Sequence, residues 1–188
     1  MKWLFRAILT ILAAFILCCI VGYFLPSSQI VETHVSVESY PDEIYSELSD
    51  LRGYPAWFHG FEAVDEGQII FAGAERGIGQ SAAWREGDDN VQFGKLEIMQ
   101  VETDNFVTIL HEQGPRTISI TYAVQSDVEA AAGQDSETVL LLARYETPLG
   151  GFPYLSRLRG KLAAGGIASD LDSSLLKLKS LMDVTTTP

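Results

Sequence analysis

Residues Ala7 to Leu25 form an unbroken run of nineteen uncharged positions, AILTILAAFILCCIVGYFL, and no other feature of this 188-residue chain restricts its setting as strongly. As a helix the run is about 28 Å long, close to the hydrocarbon thickness of a bilayer. Eleven of its residues are Ile, Leu, Phe or Val. Together they favour insertion by about 3–7 kcal/mol. Lys2 and Arg6 precede the run, and the next basic residue is Arg52. That asymmetry predicts a cytoplasmic N-terminus, with everything after Pro26 on the extracytoplasmic side.

A cleaved signal peptide would have a shorter apolar core and a small-x-small site. Gly22-Tyr23-Phe24-Leu25-Pro26 offers no such site, and Leu17, not a small residue, precedes Cys18. The expectation is an uncleaved anchor at 1–25, a linker at 26–29 and one domain at 30–184. The only two cysteines, Cys18 and Cys19, are adjacent, which excludes a disulfide framework and a cysteine zinc site.

Thirteen basic residues against 25 acidic ones give a formal charge of −12. Nothing here would displace counterions from phosphates, so a nucleic-acid partner is not expected. A domain this acidic should not adsorb to anionic headgroups by net charge, which leaves the helix to hold it at the membrane.

Beyond the linker, Ile30 to Glu38 alternates: Val31, Thr33, Val35 and Val37 share one face. That pattern predicts a half-buried strand. Pro41 suits a first helical position, and Ile44, Leu48 and Leu51 carry that helix to about Leu51. Tyr54-Pro55-Ala56-Trp57-Phe58 reads as an aromatic turn or short helix. Six strands follow: Gln68–Ala72, Gln80–Glu86, Val91–Glu102, Asn105–Gln113, Thr117–Gln125 and Glu137–Thr147. Breaks such as Gly77-Ile78-Gly79 and Gly114-Pro115 carry turn chemistry and predict an antiparallel meander. The acidic, Ala-rich segment Ser126–Ser136 reads as a hairpin tip, not a site. A long helix closes the chain, its leucines at helical spacing. Gly165-Gly166 predicts either a helix restart or a close approach, because a glycine pair costs about 2 kcal/mol inside a helix.

The order of elements and a set of short motifs resemble the START-like, or SRPBCC, superfamily, within it the polyketide cyclase/dehydrase and lipid-transport group. The motifs are Val35-x-Val37 leading to Pro41, Ile44-Tyr45, Leu48-Ser49-Asp50-Leu51, Tyr54-Pro55-Ala56-Trp57, Gly77-x-Gly79 with Trp84, Gly94-x-Leu96-x-Ile98 and Leu175-Leu176-Lys177-Leu178-Lys179. The resemblance covers about residues 30 to 182. It implies an α+β helix-grip fold like that of Bet v 1: a curved seven-stranded antiparallel sheet wrapped on the long C-terminal helix, around an apolar cavity. The expected N-terminal membrane helix departs from the cytosolic pattern of most members of the superfamily.

Such a cavity would be lined by Trp57, Phe58, Trp84, Phe93 and Tyr122 from the loops and strands. Ile109 and His111 belong to it if their strand's apolar face turns inward. Arg144 interrupts an apolar strand, either on the convex face or reaching a ligand carboxylate. Leu162, Gly165 and Ser169 would come from the covering helix. No metal or cofactor is expected, because His34, His59 and His111 lack metal-ligand spacing. Arg85 and Glu97 are expected as a solvent-facing pair. The reading that follows is a membrane-anchored, extracytoplasmic protein binding a hydrophobic small molecule, lipid-like or aromatic. The alternatives are a cyclase-like enzyme using His111, Tyr122 or Arg144, or an envelope interaction module. The residues leave the oligomeric state open.

Overall fold

The computed structural model describes residues 2–62, 64–86, 92–114, 116–126, 138–151 and 154–185. The apolar N-terminal run is one helix, α1 (Lys2–Phe24), long and apolar enough to cross a membrane. Its side chains are exposed to the surroundings, and only Gly22 is buried. A short link leads into β1 (Ser28–Glu38), then α2 (Pro41–Leu48), which starts on the proline with Asp42 and Glu43 in its first turn. There acids complement the helix dipole. The helix stops three residues earlier than its leucine spacing predicts. The Asp50 carboxylate accepts the Arg52 N–H at 3.0 Å, a local bond that competes with helix continuation. Leu51 remains fully buried beyond the helix end. Tight single turns at Tyr54–Ala56, His59–Phe61 and Glu66–Gln68 follow.

Six strands complete the sheet: β2 (Ile70–Gly73), β3 (Gln80–Glu86), β4 (Gln92–Glu102), β5 (Phe106–Gln113), β6 (Arg116–Ser126) and β7 (Thr138–Pro148). The order is β1-β7-β6-β5-β4-β3-β2, antiparallel throughout. From β2 to β7 each strand pairs with its successor, and β1 pairs with β7, so β1 and β2 are the two edges. The expected hairpin tip between β6 and β7 lies outside the described residues apart from Ser126.

Alternation along the strands builds one apolar face. On β1, Val31 and Val37 are buried, while Glu32, His34 and Glu38 are exposed. Ile98, Ile109 and Ile120 sit in register across β4, β5 and β6, and the row continues to Tyr145 and Val31. A single helix, α3 (Leu155–Thr185), packs along β1 and β7 with Leu171, Leu175 and Leu178 buried. This is the expected helix-grip arrangement. Gly165 and Gly166 neither break α3 nor mark a close approach: both are exposed, and an added Cβ would meet nothing. The helix survives them because Ala164, Ile167 and Ala168 pack on the core from its other side.

The turn between β2 and β3 explains the Gly77-x-Gly79 motif. Both glycines take left-handed backbone (φ 76° and 84°) that a side chain would strain. The Gly77 N–H donates to Ser49 O and the Gly79 N–H to Ile98 O, each at 2.9 Å, tying the turn to the end of α2 and to β4. Buried Gln80 locks the same corner. Its Oε1 accepts the Leu51 N–H at 2.8 Å, and its Nε2 donates to Asp50 Oδ1 at 2.9 Å.

Candidate functional site

The turns after α2 fill one part of the hollow beneath α3 with aromatic rings. Tyr54 and Trp57 lie 4.4 Å apart between centroids, Trp57 stands edge-on to Tyr122 at 5.6 Å, and Phe61 meets Trp84 at 4.5 Å. Tyr54 donates its hydroxyl to Leu48 O at 2.8 Å, which satisfies the one polar atom its burial would strand. Burial raises the Tyr122 phenol far above its usual range, so it stays neutral. Gly94 makes room for the Trp84 indole: a Cβ there would lie 2.3 Å from its Cε2.

What stays open is a pocket of about 440 Å³ between α3, strands β5 to β7 and the His59–Phe61 turn. Its apolar wall is Phe58, Ile118, Ile120, Ile167 and Leu171. His111 forms part of the inner wall, 8% exposed, between its register partners Leu96 and Ile118. Its ring contacts Phe58 and Trp84, both at 5.8 Å. Tyr145 lines the pocket too, and burial raises its phenol against the opposing charge of Arg116.

Charged groups gather where α3 meets the His59 turn. His59 Nδ1 is 2.9 Å from Glu62 Oε2, and its Nε2 is 3.5 Å from Asp170 Oδ1. Ser174 Oγ accepts the His59 backbone N–H at 3.0 Å and donates to Asp170 O at 2.9 Å. Lys177 pairs with Glu62; its hydrogen bond, with help from His59, holds that carboxyl below the usual range. These contacts clip the turn to α3 beside the opening. The pocket therefore offers an apolar wall and a polar one, not the uniformly apolar lining that the resemblance implies.

Of the residues singled out from sequence, Phe58 and His111 line this pocket. Trp57, Trp84, Ile109 and Tyr122 are buried in the core beside it, outside its lining. The Phe93 backbone pairs with Arg85 on β3, and its side chain lies outside the described ones. Arg144 is exposed and meets Glu32 at 3.3 Å and Glu146 at 3.6 Å. It follows Leu140 and Leu142 on the convex face, while Val139, Leu141 and Ala143 turn inward. Leu162 is 87% exposed, and Gly165 and Ser169 are exposed with it. Glu97 pairs with Lys95 at 2.6 Å, not with Arg85.

Sequence reasoning passed over Ala163, Ile167, Asp170 and Ser174, which α3 presents to the pocket. The signal was present. Stepping back from buried Leu178, Leu175 and Leu171 at helical spacing leads to Ile167, Ala164 and Gly160. Gly160 is buried because Gln29 and Leu149 would stand 2.9 and 3.0 Å from a Cβ there.

The sequence matches no family model and no curated protein. Solved structures share the fold. A Staphylococcus aureus protein of unknown function superposes with a TM-score of 0.59 at 12% identity, over 85% of this chain and 97% of that one. XoxI from Bacillus cereus gives 0.55 at 13% identity, over 85% and 99%. DynU16, a protein of the dynemicin biosynthetic locus, gives 0.53 at 16% identity over 82% of this chain. The chain spans about half of DynU16, 47% of its length. At these identities the likeness shows the helix-grip fold and nothing finer.

Proposed function

We propose that this chain is a membrane-anchored, START-like binding protein whose pocket takes a hydrophobic or amphipathic small molecule, lipid-like or aromatic. Residues 1–25 serve as the anchor, 26–29 as the link and 30–184 as the domain, held outside the cytosol. The pocket under α3 carries the reading. Its volume of about 440 Å³ lies within the usual range for small-molecule sites, and its Ile118–Ile120–Ile167–Leu171 wall suits an apolar body. The polar wall around His111 and Tyr145 suits a single polar group on that body. Lys2 and Arg6, in the first turns of α1 ahead of its uncharged run, support the orientation.

Native mass spectrometry of the full chain released from nanodiscs should show a retained apolar ligand. Ile167→Trp, which fills the space beneath α3, should release it while circular dichroism stays unchanged. A wild-type chain that carries no ligand and binds no apolar fluorescent probe would overturn the proposal. A second reading, catalysis in the same pocket, draws on His111, His59 and Asp170 converging there. It predicts that His111→Gln stops turnover of a bound ligand without releasing it.

A further inference from the structure

Charge is not spread evenly over this acidic chain. There is no Asp or Glu before Glu32, and none from Thr147 to Ser169. The second stretch carries Arg157, Arg159 and Lys161. These two acid-free stretches meet in space. Tyr154, just ahead of α3, packs on the last turn of α1, its ring 5.8 Å from that of Tyr23. The Arg157 guanidinium donates to Leu25 O at 3.0 Å and Tyr23 O at 3.3 Å. Basic residues that are remote from the membrane segment in sequence therefore stand at its end.

Their distance from the bilayer has an upper bound whatever the tilt of α3. Arg159 is five residues and Leu162 eight residues beyond Tyr154, so they lie at most about 7.5 and 12 Å along the helix from it. The interfacial zone of each leaflet is about 5–7 Å deep, and long basic side chains reach further by snorkelling. Arg159, Lys161 and Leu162 are all exposed. An exposed leucine beside cations is the composition of a segment lying in a membrane interface. Arg116 stands at the same end of the sheet. Thr147 Oγ1 donates to Thr117 O at 3.1 Å, and the Leu149 N–H donates to Ser27 O at 2.7 Å, so the start of β6 is level with the exit of α1. Arg116 and Ala163, next to Leu162, both line the pocket.

We infer that Arg116, Arg159, Lys161 and Leu162 form a seat for anionic phospholipid headgroups, which holds the pocket's Arg116–Ala163 side against the leaflet. The inference rests on α1 spanning the membrane. The seat turns a tethered domain into an oriented one, and a lipid whose phosphate meets the cations has its chains beside the pocket.

The test uses the full chain in phosphatidylcholine nanodiscs and in nanodiscs containing about one-third phosphatidylglycerol. A fluorophore is placed at Leu162→Cys in a Cys18→Ser/Cys19→Ser background, with a headgroup-attached spin label as quencher. Quenching should be stronger with phosphatidylglycerol and should fall at high salt. Arg159→Gln/Lys161→Gln should lower the ratio of seated to lifted domain about five-fold per cation, roughly thirty-fold in all. Salt screening of the parent chain gives the same test without a charge substitution. Flotation with vesicles reports α1 separately. Unchanged flotation with quenching indifferent to phosphatidylglycerol and salt overturns the seat and leaves the anchor standing. Loss of flotation overturns the anchor and the seat with it.

Discussion

Gly22 of α1 and Tyr154 ahead of α3 are packed so closely that a Cβ on Gly22 would lie 2.7 Å from the Tyr154 Cβ and 2.9 Å from its carbonyl oxygen. Tyr154 holds left-handed backbone, φ 63°, to make this contact, a conformation that is costly for an aromatic residue. Arg157 lies over its ring at 4.7 Å and closes the carboxyl end of α1. The apolar helix and the domain are thus joined by side chains as well as by the chain itself.

Gly22→Val should separate the two. A cation at a helix C-terminus contributes about 1 kcal/mol, so releasing Arg157 should open the start of α3 about five-fold more often. Tryptic cleavage after Arg159 and Lys161 in detergent-solubilised protein should speed up by that factor, and Arg157→Ala should do the same. Equal cleavage rates in wild type and both variants would refute the joint.

The Trp84 indole needs the bare backbone of Gly94. Gly94→Ala drives a methyl into the ring, and overpacking of this kind costs about 1–3 kcal/mol. Thermal unfolding of the variant should fall by roughly 2–12 °C. Trp84→Leu combined with Gly94→Ala should recover part of the loss, because the methyl then has space. The same substitution disturbs ring contacts that support Phe61 and His111, so ligand retention should weaken alongside stability.

Two neighbouring carboxyls answer pH in opposite senses. Burial would raise Asp50, but hydrogen bonds from Gln80 and the Arg52 N–H, with the charges of Arg76 and Arg52, outweigh it and hold the group below its ordinary value. Its stabilising contribution is complete above about pH 4 and is lost as pH falls through the lowered value. Glu47 is raised by burial, with Asp50 adding to the shift, in spite of the Trp57 indole and Arg76 beside it. Its ionisation costs stability once pH climbs past the ordinary carboxylate value. Urea unfolding across pH should show Asp50→Asn less stable at neutrality with a shallower acid decline. Glu47→Gln should be more stable at neutrality and indistinguishable from wild type in acid. Parallel curves for the two variants would contradict the assignment.

Much of the fold was legible because its signals are local. Val31, Thr33, Val35 and Val37 announce β1, and Val107, Ile109 and His111 announce the inward face of β5. The pocket was less legible, because it depends on which side of α3 meets the sheet. Leu162 has the hydrophobicity of a core position, yet Gly160 holds that place, since the Gln29 and Leu149 side chains crowd the space that a side chain there would take. Arg144 shows the same limit. Leucines precede it on its own face of β7, and only the pairing with Glu32 and Glu146 reveals that this is the outer face. Net charge is a coarse guide for a related reason: a sum over the chain hides the joining of two acid-free stretches that lie far apart in sequence.

Eleven consecutive residues of β1 are matched with β7, from Ser28 opposite Pro148 to Glu38 opposite Thr138. The apolar helix α1 is attached at the Ser28 end. A tug on that segment along the strand would load the β1–β7 ladder in shear, so its rungs would have to fail together, not open one by one like a zipper. The junction between α1 and the sheet is thereby built to resist mechanical force.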